Sequence, residues 1–317
     1  MPVTLDDKMI TLSSRITASG AAILKTLAYF DIFQYPLSKA EIKQFLEHPI
    51  RESEMDIAFR QLLDNELIFL HQQFYSLQNN PLLATRRIAG NERAMKLLPK
   101  AKRIGRFLYR FPFVRAVGVS GSLSKNFADE KADIDFFIIT SANRLWIART
   151  IMHLFKKLTF LVGQQHCYCM NYYTDEQALE LEDKNIFTAM EVKTLLPVSG
   201  EKASQEFFES NKWTNDWLPV CSFRQQESKD PRQTILKRIG EWCWGGRIGG
   251  QLDNYLMNIT SQRWNRKQEK GMRNEKGLPM GLLTDKHYAR SNPGFFQEKV
   301  LTLYKSKLEE INVKCRI

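Results

Sequence analysis

The sequence predicts a mixed α/β protein of the α+β kind, in which a small mixed sheet carries the chemistry and helical modules flank it. Three observations predict this. Apolar runs at 114–119 and 136–139 read as strands, and a Gly-Ser turn and an Asp-x-Asp pair lie between and against them. Residues 21–63 place apolar side chains three and four apart, the period of a helix. The last third lacks strand alternation and reads as helical. The predicted divisions are 1–80, 81–112, 113–200 and 201–317.

Size and charge set the frame. A chain of 317 residues, 43% of them hydrophobic, is long enough for two or three domains and can bury a core. The net charge of +11, with a pI near 9.4, favours an anionic partner such as nucleotide or nucleic acid. Five cysteines in so long a chain do not make a disulfide framework and suit reduced cytosolic thiols. The first eight residues lack the basic-then-apolar order of a signal peptide. The best candidate for a membrane span, 154–162, is interrupted by Lys156 and Lys157. The expectation is a cytoplasmic protein with no membrane partner.

At the amino terminus, Ala21, Leu24, Leu27, Ala28 and Ile32 fit one helical face, closed by Tyr35-Pro36. Ser38 and Glu41 stand at capping-box spacing and open a short second helix with Ile42, Phe45 and Leu46. Met55, Ala58, Phe59, Leu62 and Leu63 mark a third helix, and the β-like runs 67–70 and 74–77 follow. Three helices and a hairpin in this order resemble a winged helix-turn-helix. The exposed side of the third helix carries Glu54, Asp56, Asp64 and Glu66 against Arg60, and the wing has no Arg or Lys. DNA phosphates would be repelled there, so DNA binding is not expected; contact with protein or shaping of a cleft is.

Residues 81–110 hold nine cations and one acid, Glu92, interleaved with apolar positions. Two helices divided near Pro99 are predicted. The cations are open to two readings: the solvated face of a linker, or a ridge for a polyphosphate or RNA backbone.

The central region carries the chemistry. After the strand 114–119 comes Ser120-Gly121-Ser122, and ten residues separate Ser122 from Asp133. Strand side chains alternate, so Asp133 and Asp135 share a face, about 7 Å apart. Two carboxylates beside a turn rich in free N–H groups suit a divalent metal and a phosphate. The predicted helix that follows is capped by Asn143 and buries Leu145, Ile147, Ala148, Ile151, Met152, Phe155 and Leu158. A third strand is predicted at 166–173. Thr174-Asp175-Glu176 reads as the cap of a helix over 175–182, and a further helix runs through 187–196 to Pro197.

This arrangement, from Val117-Gly118-Val119-Ser120-Gly121-Ser122 to Asp133-Ile134-Asp135-Phe136, resembles the polymerase-beta-like nucleotidyltransferase superfamily, in the spacing of its minimal and antibiotic-modifying branches. The likeness covers roughly residues 111–200. It implies that Gly121 and Ser122 cradle a nucleoside triphosphate, that Asp133 and Asp135 hold Mg²⁺ as the catalytic pair, and that Lys125 neutralises a phosphate. One position departs from the pattern. The superfamily usually has a third carboxylate on a later strand; the candidate strand offers Asn171, which ligates through its amide oxygen but accepts no proton. Asp175 lies too far along the strand, and Glu191 is an alternative on the next helix. Cys167 and Cys169 fall on one face of that strand and His166 on the other, which reads as buried thiols rather than zinc.

Beyond residue 200, five of the six tryptophans (Trp213, Trp217, Trp242, Trp244 and Trp264) are expected mainly in helix contacts. Gly245-Gly246-Arg247-Ile248-Gly249-Gly250 follows no strand, so it reads as close helix packing rather than a phosphate loop. Residues 262–276 are basic and read as a solvated helix end or loop, or as an acceptor-binding segment. Nothing ties Thr284–Tyr288 to Asp133, and the last helix, 295–311, is expected on the preceding bundle. The functional expectation is a metal-dependent nucleotidyltransferase acting on a small molecule, protein or RNA acceptor. The alternative is a catalytically impaired nucleotide sensor whose winged helix binds DNA or another partner.

Overall fold

The computed structural model describes residues 16–160, 169–273 and 277–315. The amino-terminal elements follow in the expected order: α1 (Ala18–Asp31), α2 (Lys39–Gln44), α3 (Glu52–Asp64) and the antiparallel strands β1 (Phe69–His71) and β2 (Phe74–Ser76). The capping box forms, with Ser38 Oγ accepting from Glu41 N and Glu41 accepting from Ser38 N. Met55, Ala58, Phe59 and Leu62 of α3 bury against α1.

The chain then runs as one helix, α4 (Leu82–Leu108), straight through Pro99, and not as the two helices expected. A proline costs the helix one hydrogen bond and a steric adjustment. Here a seam of small residues, Gly90, Ala94, Ala101 and Gly105, lies buried on both sides of Pro99, and packing along its length holds the helix together. Gly90 lies against Phe127, and the rest of the seam packs with β3 (Val114–Val119) and β6 (Leu196–Ser199); a Cβ on Gly105 would come within 2.9 Å of Val198. Several cations of α4 are already partnered. Arg87 is buried against Glu41 (2.6 Å) and the Tyr35 ring (3.7 Å), Arg86 pairs with Asp129, Lys102 with Glu227, and Arg106 donates to Ser228. These side chains tie α4 to its neighbours.

The central sheet has six strands in the order β6-β3-β4-β5-β8-β7, where β4 is Asp135–Thr140, β5 Cys169–Asp175, β7 Leu282–Thr284 and β8 Tyr288–Ser291. Among the described residues only β4 and β5 pair in parallel, and the crossover between them contains α6 (Leu145–Phe160). One face of the sheet packs Val117, Val119, Phe136, Ile138 and Tyr173 against α4 and α6. The other packs Ala116, Phe137 and Ile139 against α7 (Ile186–Thr194) and α8 (Glu201–Ser210).

Several expectations need correction. Asn143 does not cap α6; it sits in the left-handed region (φ 56°), and the cap comes from Asp253, whose Oδ1 accepts from Ile147 N at 2.8 Å. No helix forms at 175–182, because β5 continues to Asp175 and turns follow. Leu196–Ser199 is an edge strand, where Pro197 is tolerated because the sheet asks nothing of its missing N–H. The carboxyl-terminal third is not wholly helical. Beyond α8 the described residues form the helices α9 (Ile235–Trp244), α10 (Arg247–Glu269) and α11 (Phe296–Lys314), while β7 and β8 complete the sheet. α11 packs on α1 and α7 through Val300, Leu301, Tyr304 and Leu308, not on the preceding helices. Trp242 is 84% exposed, whereas Trp213 and Trp217 pack against the amino-terminal core.

Candidate active site

The strand β3 ends at Val119, and the chain turns directly into a single helical turn, α5 (Gly121–Ser124). Ser120 N donates to Asp135 O (3.0 Å), which fixes the turn to the start of β4. Gly121 has φ +68°, and a Cβ placed on it would lie 2.7 Å from Asp135 Oδ2. Only glycine satisfies both the backbone and the neighbour at this position. The first N–H groups of a helical turn have no partner within it, so the backbone of residues 121–123 presents donors beside the carboxylate. Ser122 is exposed at the same turn.

Asp133 precedes β4 by two residues. Pairing nevertheless starts before the strand proper, since Cys169 N donates to Ile134 O at 3.2 Å. Ile134 and Phe136 are buried while Asp133 and Asp135 are half-buried, so the two acids share a face as predicted from the alternation.

Asn171, on β5, reaches this pair. Its Nδ2 donates to Asp135 Oδ1, and its Oδ1 accepts from the Cys169 thiol at 3.1 Å. Asn171 falls at a register shift in the β4–β5 pairing, between the Phe136–Met170 and Phe137–Tyr172 pairs. Burial pushes the Cys169 thiol up to about 11, and the charges of Asp135 and Asp133 reinforce the shift. A thiol held neutral this firmly is a packing and hydrogen-bonding group. His166 and Cys167 lie outside the described residues.

The other candidate acids are placed elsewhere. Asp175 pairs in register with Thr140 at the far end of β4 and is fully buried. It accepts from Asn143 N and Gln177 N and lies 3.0 Å from His287 Nδ1 on the β7–β8 turn. Glu191, on α7, pairs with Lys125 at 2.7 Å, and Lys125 Nζ also donates to Gly121 O at 3.2 Å. Lys125 thus enters the site as half of an ion pair that braces the turn. Among the described residues no three His, Cys, Asp or Glu side chains converge as a metal cluster.

Two contacts at this site have no signal in the sequence. Tyr35 Oη donates to Lys125 O at 2.5 Å, tying the amino-terminal helices to the end of α5. Arg224 donates to Ser124 O at 2.7 Å from a segment without regular secondary structure a hundred residues on. Both depend on tertiary folding alone.

No protein-family model matches the chain, and no curated protein or solved structure matches it significantly.

Proposed function

We propose that this chain is a metal-dependent nucleotidyltransferase that moves a nucleoside monophosphate from a triphosphate to an acceptor. The observation that carries the reading is the contact between turn and acid: Gly121 is held with a left-handed backbone directly over Asp135 Oδ2. A phosphate cradle and a carboxylate pair thereby form one surface. On this reading residues 113–200 are a polymerase-beta-like transferase unit, and residues 1–80 are a winged-helix-like module used for contact with protein rather than DNA.

The side chains fit magnesium. Mg²⁺ takes oxygen ligands and commonly binds through one or two carboxylates, completing its shell with water and substrate phosphate oxygens. Asp133 and Asp135, which share one half-buried face, would supply the carboxylates. When bound, the ion would neutralise charge on the triphosphate and its leaving pyrophosphate. The chain's own groups do the rest. Gly121 lets the triphosphate approach the backbone, Ser122 donates its hydroxyl, and the Lys125–Glu191 pair holds the turn in place. Asn171 orients Asp135 through its amide.

That amide also favours a second reading, a nucleotide sensor without turnover. Asn171 stands where a third carboxylate would complete the transferase set, and it cannot take a proton from an acceptor. Calorimetry with Mg²⁺ and each nucleoside triphosphate tests what the two readings share. Binding that disappears in Asp133→Asn/Asp135→Asn is expected; absence of binding by the wild-type chain contradicts both.

A further inference from the structure

The helix α9 is amphipathic, but it is mounted with its apolar side outward. Lys237, Gly240 and Glu241 face the protein. Lys237 is buried, with Nζ donating to Tyr109 O (2.8 Å) and Val114 O (2.7 Å) and lying 4.1 Å from the centre of the Tyr109 ring. Glu241 accepts from Phe113 N (2.9 Å) and pairs with Arg115 (2.7 Å), and Gly240 lies close on Pro112. At its far end Arg144 donates to the carbonyls of Trp244, Gly245 and Gly246 and fixes the turn into α10. Opposite these contacts Ile235, Leu236, Ile239 and Trp242 are 74, 78, 53 and 84% exposed, and Ile248 and Tyr255 extend the same character along α10. Burying an ammonium group while leaving four large apolar side chains in water is the reverse of ordinary helix packing, and such a surface marks a binding site.

The charge around this face selects its occupant. Arg232, Arg238 and Arg247 are exposed and make no ion pair among the described residues, while the one acid of α9, Glu241, points inward. A second copy of the chain would set arginine against arginine in a protein of net charge +11. An aromatic and aliphatic face flanked by these arginines, with Asp230 before the helix already accepting from Gly200 N and Gln226 Nε2, is the pattern of a helix that lies in the headgroup region of an anionic bilayer. We propose that α9, with the start of α10, docks this protein on the surface of an anionic lipid membrane. No described helix is long and apolar enough to cross a membrane, and α9, about 15 Å long, lies in the plane of the interface instead. This departs from the sequence expectation of no membrane partner, and it stands independently of the nucleotidyltransferase reading.

Co-sedimentation of the full chain with vesicles tests it, using phosphatidylcholine alone and phosphatidylcholine with about 30% phosphatidylserine. The wild-type chain is expected to pellet with the anionic vesicles, to stay largely in solution with the neutral ones, and to be released by high salt. Ile239→Ser/Trp242→Ser alters exposed side chains only, so it keeps its circular dichroism spectrum and binds at least about tenfold more weakly. Arg238→Glu/Arg247→Glu is expected to lose affinity for anionic vesicles by about twentyfold or more, from roughly fivefold per arginine. Equal binding to both vesicle types overturns the proposal, as does no binding to either. A dimer in sedimentation that dissociates in the Ile239→Ser/Trp242→Ser variant, without vesicle binding, assigns the face to self-association and overturns it too.

Discussion

Replacing Gly121 by alanine should damage the site in two separable ways. The backbone at 121 has φ +68°, a region that costs an L-residue about 1–2 kcal/mol. The added methyl would also meet Asp135 Oδ2 at 2.7 Å, closer than packed carbon and oxygen atoms come, so the carboxylate must shift by several tenths of an ångström. That shift breaks the alignment with Asn171 Nδ2. Gly271 supplies the control: its φ is +60° and nothing lies within 4 Å of the position an added methyl would take, so alanine there brings the backbone cost alone. Urea denaturation should therefore show a loss of about 1 kcal/mol for Gly271→Ala and about 1–3 kcal/mol for Gly121→Ala. Calorimetry with Mg²⁺ and triphosphate should show unchanged affinity for Gly271→Ala and a loss of about tenfold or more for Gly121→Ala, near 1.4 kcal/mol. If the two variants match in both assays, the turn and the carboxylate do not form one site.

Other perturbations follow from the same geometry. On the transferase reading, Asn171→Asp would supply a third carboxylate, and pyrophosphate release should rise if turnover is limited by its absence; a fall in Mg²⁺-dependent activity would refute that role. Gly90→Ala should destabilise the chain by at least about 2 kcal/mol in denaturant titrations, because its methyl would lie 2.1 Å from the Phe127 ring that packs on Tyr35. Burial pushes Asp253 up to about 6 from 3.8. Between those values the folded chain keeps a proton that the unfolded chain releases, so this group's contribution is largest at low pH and falls as pH rises through the window, by at most about 3 kcal/mol. Asp253→Asn should flatten that part of the stability–pH curve relative to wild type.

The parts of the fold legible in the sequence are those settled by near neighbours. The Ser38/Glu41 box, the α3 stripe and the alternation around Asp133 and Asp135 are all local, and each forms as its pattern requires. Distant partners decide the rest. Asp253 caps α6 from over a hundred residues away, which no reading of Asn143 and its neighbours reveals. Strands as short as β6, β7 and β8 leave no alternation to detect; β6 and β8 form on the edges that β3 and β5 offer, and β7 forms on β8. Pro99 breaks an isolated helix, but α4 is held by packing on both sides of it. At the site, the turn and the acid pair were legible, whereas the capture of Lys125 by Glu191 and the reach of Tyr35 and Arg224 were not, because they join segments far apart in the chain.

The most direct test of the site is pyrophosphate release from labelled nucleoside triphosphates in the presence of Mg²⁺, with the wild-type chain and the Asp133→Ala/Asp135→Ala variant side by side. Release, or self-labelling, by the wild-type chain that vanishes in the variant is the expected result. Release that survives the loss of both aspartates would contradict the assignment of catalysis to this pair.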